Sequence, residues 1–280
     1  MISEKLLAAQ EQNNSWLCLG LDPQPELLPI QATHQWDEPV LPFCKAIVDA
    51  TADLVCAYKP NLGFFLQWGA SGIIALERII AYIPRHIPVI VDCKAGDIGH
   101  TQGAWARGIL DEWQADGMTV NGYVGAEAVL PVVQNRPNKV AYVLARTSNP
   151  SAADFQGDFV QAESLSRRVL AARPAWQTAA QGAIGVVMGS TYPAELELAR
   201  QLDPDVHFLI PGIGAQGGEL ATAVRVGADS AAGPLISASR SILYASQRVD
   251  FAEQARAAAV VLRDEINAQR SRGAEEQRSH

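Results

Sequence analysis

Asp92, Lys94 and Asp97 stand close together in the run Asp92-Cys93-Lys94-Ala95-Gly96-Asp97-Ile98. The apolar run Ile87-Pro88-Val89-Ile90-Val91 just before it reads as a buried strand. Side chains alternate faces along a strand, so Asp92 and Lys94 point one way and Cys93 the other. Two acids and an ammonium at a strand end cost on the order of several kcal/mol per buried ion unless they pair with one another. Such a group suits proton transfer or the stabilisation of developing charge better than packing. Lys59, in Tyr58-Lys59-Pro60-Asn61, closes the preceding strand candidate. If the two strands are neighbours, Lys59, Asp92, Lys94 and Asp97 form a row of alternating sign in which each charge offsets the next.

Polar residues end other strand candidates as well. The first ends at Asp22 and the fifth at Arg146-Thr147-Ser148-Asn149-Pro150. The seventh runs into Pro211-Gly212-Ile213-Gly214-Ala215-Gln216-Gly217-Gly218, and the eighth unit carries Ser237-Ala238-Ser239-Arg240-Ser241. Glycines let backbone amides approach an anion closely, and an arginine grips phosphate bidentately. Each motif alone reads as an ordinary turn or a surface arginine; together they favour a phosphate seat. His34, His86, His100, His207 and His280 are scattered, without metal-ligand spacing or a nucleophile triad. Asp22, Asp92 and Asp97 could hold Mg²⁺ as oxygen ligands. Lys59 and Lys94 already bring the positive charge such an ion would supply, so no metal is expected.

These residues need a scaffold that gathers strand ends. Strand candidates span Trp16–Asp22, Val55–Asn61, Pro88–Lys94, Met118–Tyr123, Val140–Thr147, Ile184–Gly189, His207–Ile213 and Asp229–Ile236. Helical periodicity between them covers Leu41–Leu54, Ala70–Ile83, Thr101–Gln114, Ala162–Ala172, Ala194–Leu202 and Gly218–Val226. Repeated strand–helix units in 280 residues predict a single-domain α/β fold, the (β/α)8 TIM barrel, over residues 1–268. The first strand lacks the GxGxxG that an open doubly wound sheet would carry. In such a barrel the site lies at the C-terminal strand ends, and phosphate sits after strands seven and eight. The long connections Pro23–Pro39 and Ser148–Gln161 fall on the same rim. Residues 269–280 are charged and poor in apolar side chains, and are expected to be a disordered tail.

Hydrophobic residues make up 48% and charged residues 19%, enough for a sizeable core. With net charge −8 and no basic run, nucleic acid and anionic membrane surfaces are poor partners. The first residues lack the apolar core of a signal peptide, and no stretch is long and apolar enough to span a bilayer. Cys18, Cys44, Cys56 and Cys93 form no CxxC pair and read as reduced core thiols, which suits a cytoplasmic protein.

Asp92-x-Lys94-x-x-Asp97-Ile98 with Thr101, Lys59 upstream, the Pro211–Gly218 loop and Arg240 together resemble the orotidine 5′-phosphate decarboxylase family, over nearly the whole chain. Arg146-Thr147-Ser148-Asn149-Pro150 is similar to its longer bacterial subgroup. The resemblance implies a cofactor-free homodimeric carboxy-lyase of pyrimidine (UMP) biosynthesis. It implies that Lys59, Asp92 and Lys94 act within one subunit, with Lys94 as proton donor to C6, while Asp97 and Thr101 reach in from the partner. It also implies that Asp22 and Lys59 hold ribose hydroxyls, Ser148 the pyrimidine edge, and Gln216 and Arg240, with the loop opened by Pro211, the phosphate. Ser239 stands where relatives commonly have glycine. A Mg²⁺-dependent sugar-phosphate decarboxylase or aldolase of the same superfamily remains an alternative, although such relatives tend to carry an acid at the place of Lys59. A non-catalytic phosphosugar-binding barrel is the other, and it would not need alternating charges.

Overall fold

The computed structural model describes residues 4–29, 38–157, 164–213, 219–228 and 232–278. Its centre is eight parallel strands: β1 (Leu17–Leu21), β2 (Ala57–Pro60), β3 (Ile90–Ala95), β4 (Gly117–Val120), β5 (Val140–Arg146), β6 (Ala183–Met188), β7 (Phe208–Pro211) and β8 (Leu235–Ala238). The ladder runs β2-β1-β8-β7-β6-β5-β4-β3. Single bridges Tyr58↔Val89 and Asn61↔Asp92 join its two ends. The result is the expected (β/α)8 barrel, with helices packed outside the strands.

Strand alternation divides the core in two. Outward residues such as Leu19, Tyr58, Val91, Val143, Val186 and Ile210 form one apolar layer with the helices. Inward residues including Cys18, Ala57, Ile90, Tyr142, Val187, Leu209 and Leu235 fill the barrel itself. A further helix, Glu4–Gln12, precedes β1, where the charged sequence predicts no element. Its buried face, Leu6, Ala9 and Gln10, shuts the N-terminal end of the barrel, and Leu6 joins the interior cluster. The opposite end is left open for a site.

Several elements differ from the sequence-based expectation. β8 begins at Leu235 rather than Asp229, and residues 229–231 lie outside the described residues. Pro234 has no N–H for a ladder, and the Gly233 carbonyl accepts side-chain hydrogen bonds from Gln10 and His207 instead. β4 stops at Val120 because the Asn121 side chain accepts the Tyr123 N–H (3.1 Å), starting a short 3₁₀ turn. The helix after β3 covers Gly99–Ala106 and continues as a π-helical turn, Arg107–Glu112.

The last helix runs Phe251–Arg278, so residues 269–278 of the expected tail are helical, and 279–280 lie outside the described residues. Its Ala, Glu, Gln and Arg residues favour helix. Asn267 donates to the Asn14 carbonyl (2.9 Å), and the Arg270 guanidinium lies 4.4 Å over the Trp16 ring, tying these turns to the barrel. No helix among the described residues is long and apolar enough to cross a membrane.

Candidate active site

Asp92, on β3, is the hub of the open end. Its Oδ2 accepts from Lys59 Nζ at 2.9 Å and its Oδ1 from Lys94 Nζ at 2.6 Å. The Asp92 and Lys59 side chains are about 10% and 8% exposed, whereas that of Lys94 is 47% exposed. Burial would push the Asp92 carboxyl up, but the two ammonium groups outweigh it and hold it well below the usual carboxylate range. Burial would likewise lower Lys59, and the carboxylates of Asp92 and Asp22 reverse that and raise it. Both ions therefore stay charged in a dry place. The Asn61 amide adds a longer contact to Asp92 Oδ2, 3.5 Å.

Simple alternation does not explain how Lys94 comes to face Asp92. β3 and β4 pair at Val91↔Met118 and again at Ala95↔Val120, so Asp92, Cys93 and Lys94 bulge opposite Thr119 alone. Lys94 has a left-handed backbone, φ +48°, costing about 1–2 kcal/mol for a residue with a Cβ. The Lys94 N–H donates to Thr119 Oγ1 (2.9 Å), and Thr119 Oγ1 donates to Asp92 Oδ1 (2.8 Å). Cys93 turns aside to the Thr119 carbonyl (Sγ to O, 3.4 Å), and burial pushes its thiol up to about 11.

Lys59, Asp92, Lys94, Ser148 and Pro211 line one cleft of about 350 Å³, a volume suited to a small ligand. Asp22 lies buried at the end of β1, with Oδ1 lacking a hydrogen-bond partner among the described residues. Burial raises its carboxyl, against the charge of Lys59 and a hydrogen bond with Ser239. Asp97 and Thr101 are not part of this lining. Asp97 accepts from the Ile98 N–H (2.7 Å), and Thr101 is exposed on the following helix. Arg240 is exposed at the first residue of the helix Arg240–Leu243. Gln216 lies outside the described residues. Thus plus, minus and plus meet within one chain, while the second acid of the row stands apart. Among the described residues, no three His, Cys, Asp or Glu side chains gather as a metal-binding group.

The orotidine 5′-phosphate decarboxylase / HUMPS family model matches residues 15–255. The chain belongs to this family. It is 47% identical to orotidine 5′-phosphate decarboxylase of Thermomicrobium roseum over 94% of both chains. It is 43% identical to that of Ralstonia nicotianae over 96% of this chain and 99% of the relative. The structure of Leishmania donovani OMP decarboxylase superposes with a TM-score of 0.79 at 32% identity, covering 95% of this chain and 98% of that one.

Knowing that the chain is a member of the orotidine 5′-phosphate decarboxylase / HUMPS family does not by itself explain Ser239. Gly20 does: a Cβ there would collide with Ser239 Oγ, so glycine on β1 leaves room for the serine after β8. Arg146 ends β5 and does not line the cleft. Its guanidinium stacks 3.9 Å over the Tyr192 ring and lies 3.1 Å from Glu195 Oε2. Sequence reasoning missed Thr119 and the apolar wall of Leu144, Val187 and Leu209. Thr119 could have been found as the lone hydroxyl in the strand Gly117-Met118-Thr119-Val120. The wall is indistinguishable from ordinary barrel core in the sequence.

Proposed function

We propose that this chain converts orotidine 5′-phosphate to uridine 5′-phosphate and CO₂ in pyrimidine biosynthesis, with Lys94 as the proton donor. The observation that carries this reading is Asp92 held between Lys59 and Lys94 at 2.9 and 2.6 Å on the wall of a ligand-sized cleft. The C6–carboxylate bond breaks heterolytically. CO₂ leaves and the electron pair stays on C6, in the plane of the pyrimidine, where resonance gives little relief. A fixed ammonium beside C6 stabilises that pair, and one such preorganised donor is worth roughly 3–4 kcal/mol. Lys94 Nζ then gives its proton to C6 and recovers one from water. Asp92 aims the Lys94 ammonium.

In this reading Asp22 and Lys59 hold the ribose hydroxyls and Ser148 the pyrimidine edge. Pro211, Gln216, Ser239 and Arg240 surround the phosphate. Asp97 and Thr101 complete the site of a second copy in a homodimer, which fits their position outside their own cleft. The protein works in the cytoplasm, where its thiols stay reduced. The charge demand is met by side chains, so no cofactor is required. Incubation with orotidine 5′-phosphate in EDTA, followed by the ultraviolet change as uridine 5′-phosphate forms, tests this. Turnover unaffected by EDTA is expected; no turnover, or turnover abolished by EDTA, would refute the reading. Mixing Lys94→Ala with Asp97→Ala subunits should rebuild one complete site per mixed dimer. Recovery of no activity would place Asp97 outside the partner's site.

A further inference from the structure

We propose that Thr119 is a positioning residue for Lys94, fixing both the backbone and the counter-ion of the proton donor; this rests on the reading of Lys94 given above. The β3 bulge sets three residues, Asp92, Cys93 and Lys94, against Thr119 alone. A bulge leaves ladder groups unpaired, and a buried unpaired N–H is costly. The Lys94 N–H finds its acceptor in the Thr119 hydroxyl at 2.9 Å, not in the β4 backbone.

That contact settles the direction of the next one. An amide N–H only donates, so Thr119 Oγ1 accepts from Lys94 and its single proton is free for Asp92 Oδ1, 2.8 Å away. Asp92 Oδ1 also accepts from Lys94 Nζ at 2.6 Å. The hydroxyl thus closes a ring through the two ends of Lys94: backbone N–H to Thr119, Thr119 to Asp92, Asp92 to the ammonium. Lys94 needs such a fastening more than its neighbours do. Its left-handed φ of +48° is unfavourable for any residue with a Cβ, and its side chain is half exposed, so packing does not hold it. Thr119 itself is buried and lines the cleft, which leaves it little freedom to take another partner.

Valine keeps the shape of threonine and removes only the hydroxyl; serine keeps the hydroxyl and removes a methyl. Thr119→Val is therefore expected to lower kcat roughly 10- to 100-fold, as loss of a partner that orients a functional group does. KM should stay within about twofold, since the loss falls on the transition state rather than on binding. Thr119→Ser should restore kcat to within about threefold of the parent. If Thr119→Val does not accumulate as folded protein, Thr119→Ala against Thr119→Ser makes the same comparison.

Turnover by the hydroxyl-free variant within about twofold of the parent would overturn the proposal, and so would a serine variant as impaired as the valine one. A loss confined to KM would overturn it too. An unsubstituted chain that does not turn over orotidine 5′-phosphate refutes the reading of function instead, and an active parent with an active Thr119→Val variant refutes only the role of Thr119.

Discussion

At the mouth of the barrel Asp92 is gripped by two ammonium groups and a hydroxyl; at its floor His207 and Gln10 meet at one carbonyl and Tyr142 bonds to His207, with no ion among them. The Tyr142 hydroxyl and His207 Nδ1 are 2.9 Å apart, and His207 Nε2 lies 2.9 Å from the Gly233 carbonyl oxygen. Gln10 donates to the same oxygen at 2.7 Å. A carbonyl only accepts, so His207 Nε2 carries the proton and Nδ1 accepts from Tyr142. Both networks are buried, and burial disfavours the charged form in each, but only one of them has counter-ions to oppose it. Among the described residues no carboxylate faces His207 at the floor, and desolvation pushes it down to about 4. At the mouth the lysines outweigh desolvation and Asp92 stays ionised. A dry ion persists only where counter-ions are already in place. The floor is sealed by the helix Glu4–Gln12, whereas the mouth stays open and accepts a strained Lys94 backbone.

The largest effect should come from removing the donor. Lys94→Ala is expected to lower kcat by roughly 100- to 1,000-fold, judged from the loss of one preorganised donor. Its melting temperature should barely change, because the side chain is half exposed. A folded variant with near-parental turnover would remove Lys94 from the chemistry and the mouth from its role. Asp92→Asn should damage both properties. It leaves Lys59 buried without its counter-ion, a change that costs about 3–5 kcal/mol in other buried pairs. Urea unfolding measures that loss, and an unchanged midpoint would show that the mouth is not held by charge pairing.

The floor predicts a pH effect of its own. His207 has an ordinary value of 6.5 and is held at about 4 when folded, so between those values the unfolded chain binds the extra proton. Stability from this group is complete above pH 6.5 and drains away as the pH falls toward 4, by about 3 kcal/mol in all. Asp22, raised by burial, works in the opposite sense, so the useful quantity is a difference. His207→Gln should flatten the stability profile between those limits relative to the parent, as read by urea unfolding at stepped pH. Parallel profiles would mean that His207 is not held neutral. The smallest effect concerns the rim. Gly20→Ala should destabilise by about 1–3 kcal/mol through collision with Ser239, and Ser239→Gly should recover most of it. Additive losses in the double variant would show that the two positions are not coupled.

Much of the mouth could be read from residue types at strand ends. Lys59, Asp92, Lys94, Ser148 and Pro211 share a cleft because the barrel brings the ends of successive strands together. Ser239 was legible as a departure from its relatives, but its partner Gly20 was not, since nothing in the sequence joins β1 to β8 before the ladder closes. The floor was hardly legible at all. His207 looked like one of several scattered histidines, and Gln10 belonged to a segment with no evident role. Gln10 reaches the Gly233 carbonyl across more than two hundred residues, and Tyr142 reaches His207 across three strands.

Composition, strand–helix alternation and the order of charged residues determined by themselves that a parallel barrel would form and which end of it would carry ions, because both follow from local periodicity and from the cost of dry charge. Tertiary structure alone decided that three residues of β3 face one threonine, that Lys94 takes a left-handed backbone, and that Asp97 stands apart from its own cleft. A bulge, its register and its pairing partners are properties of two strands at once, and no single stretch of chain encodes them.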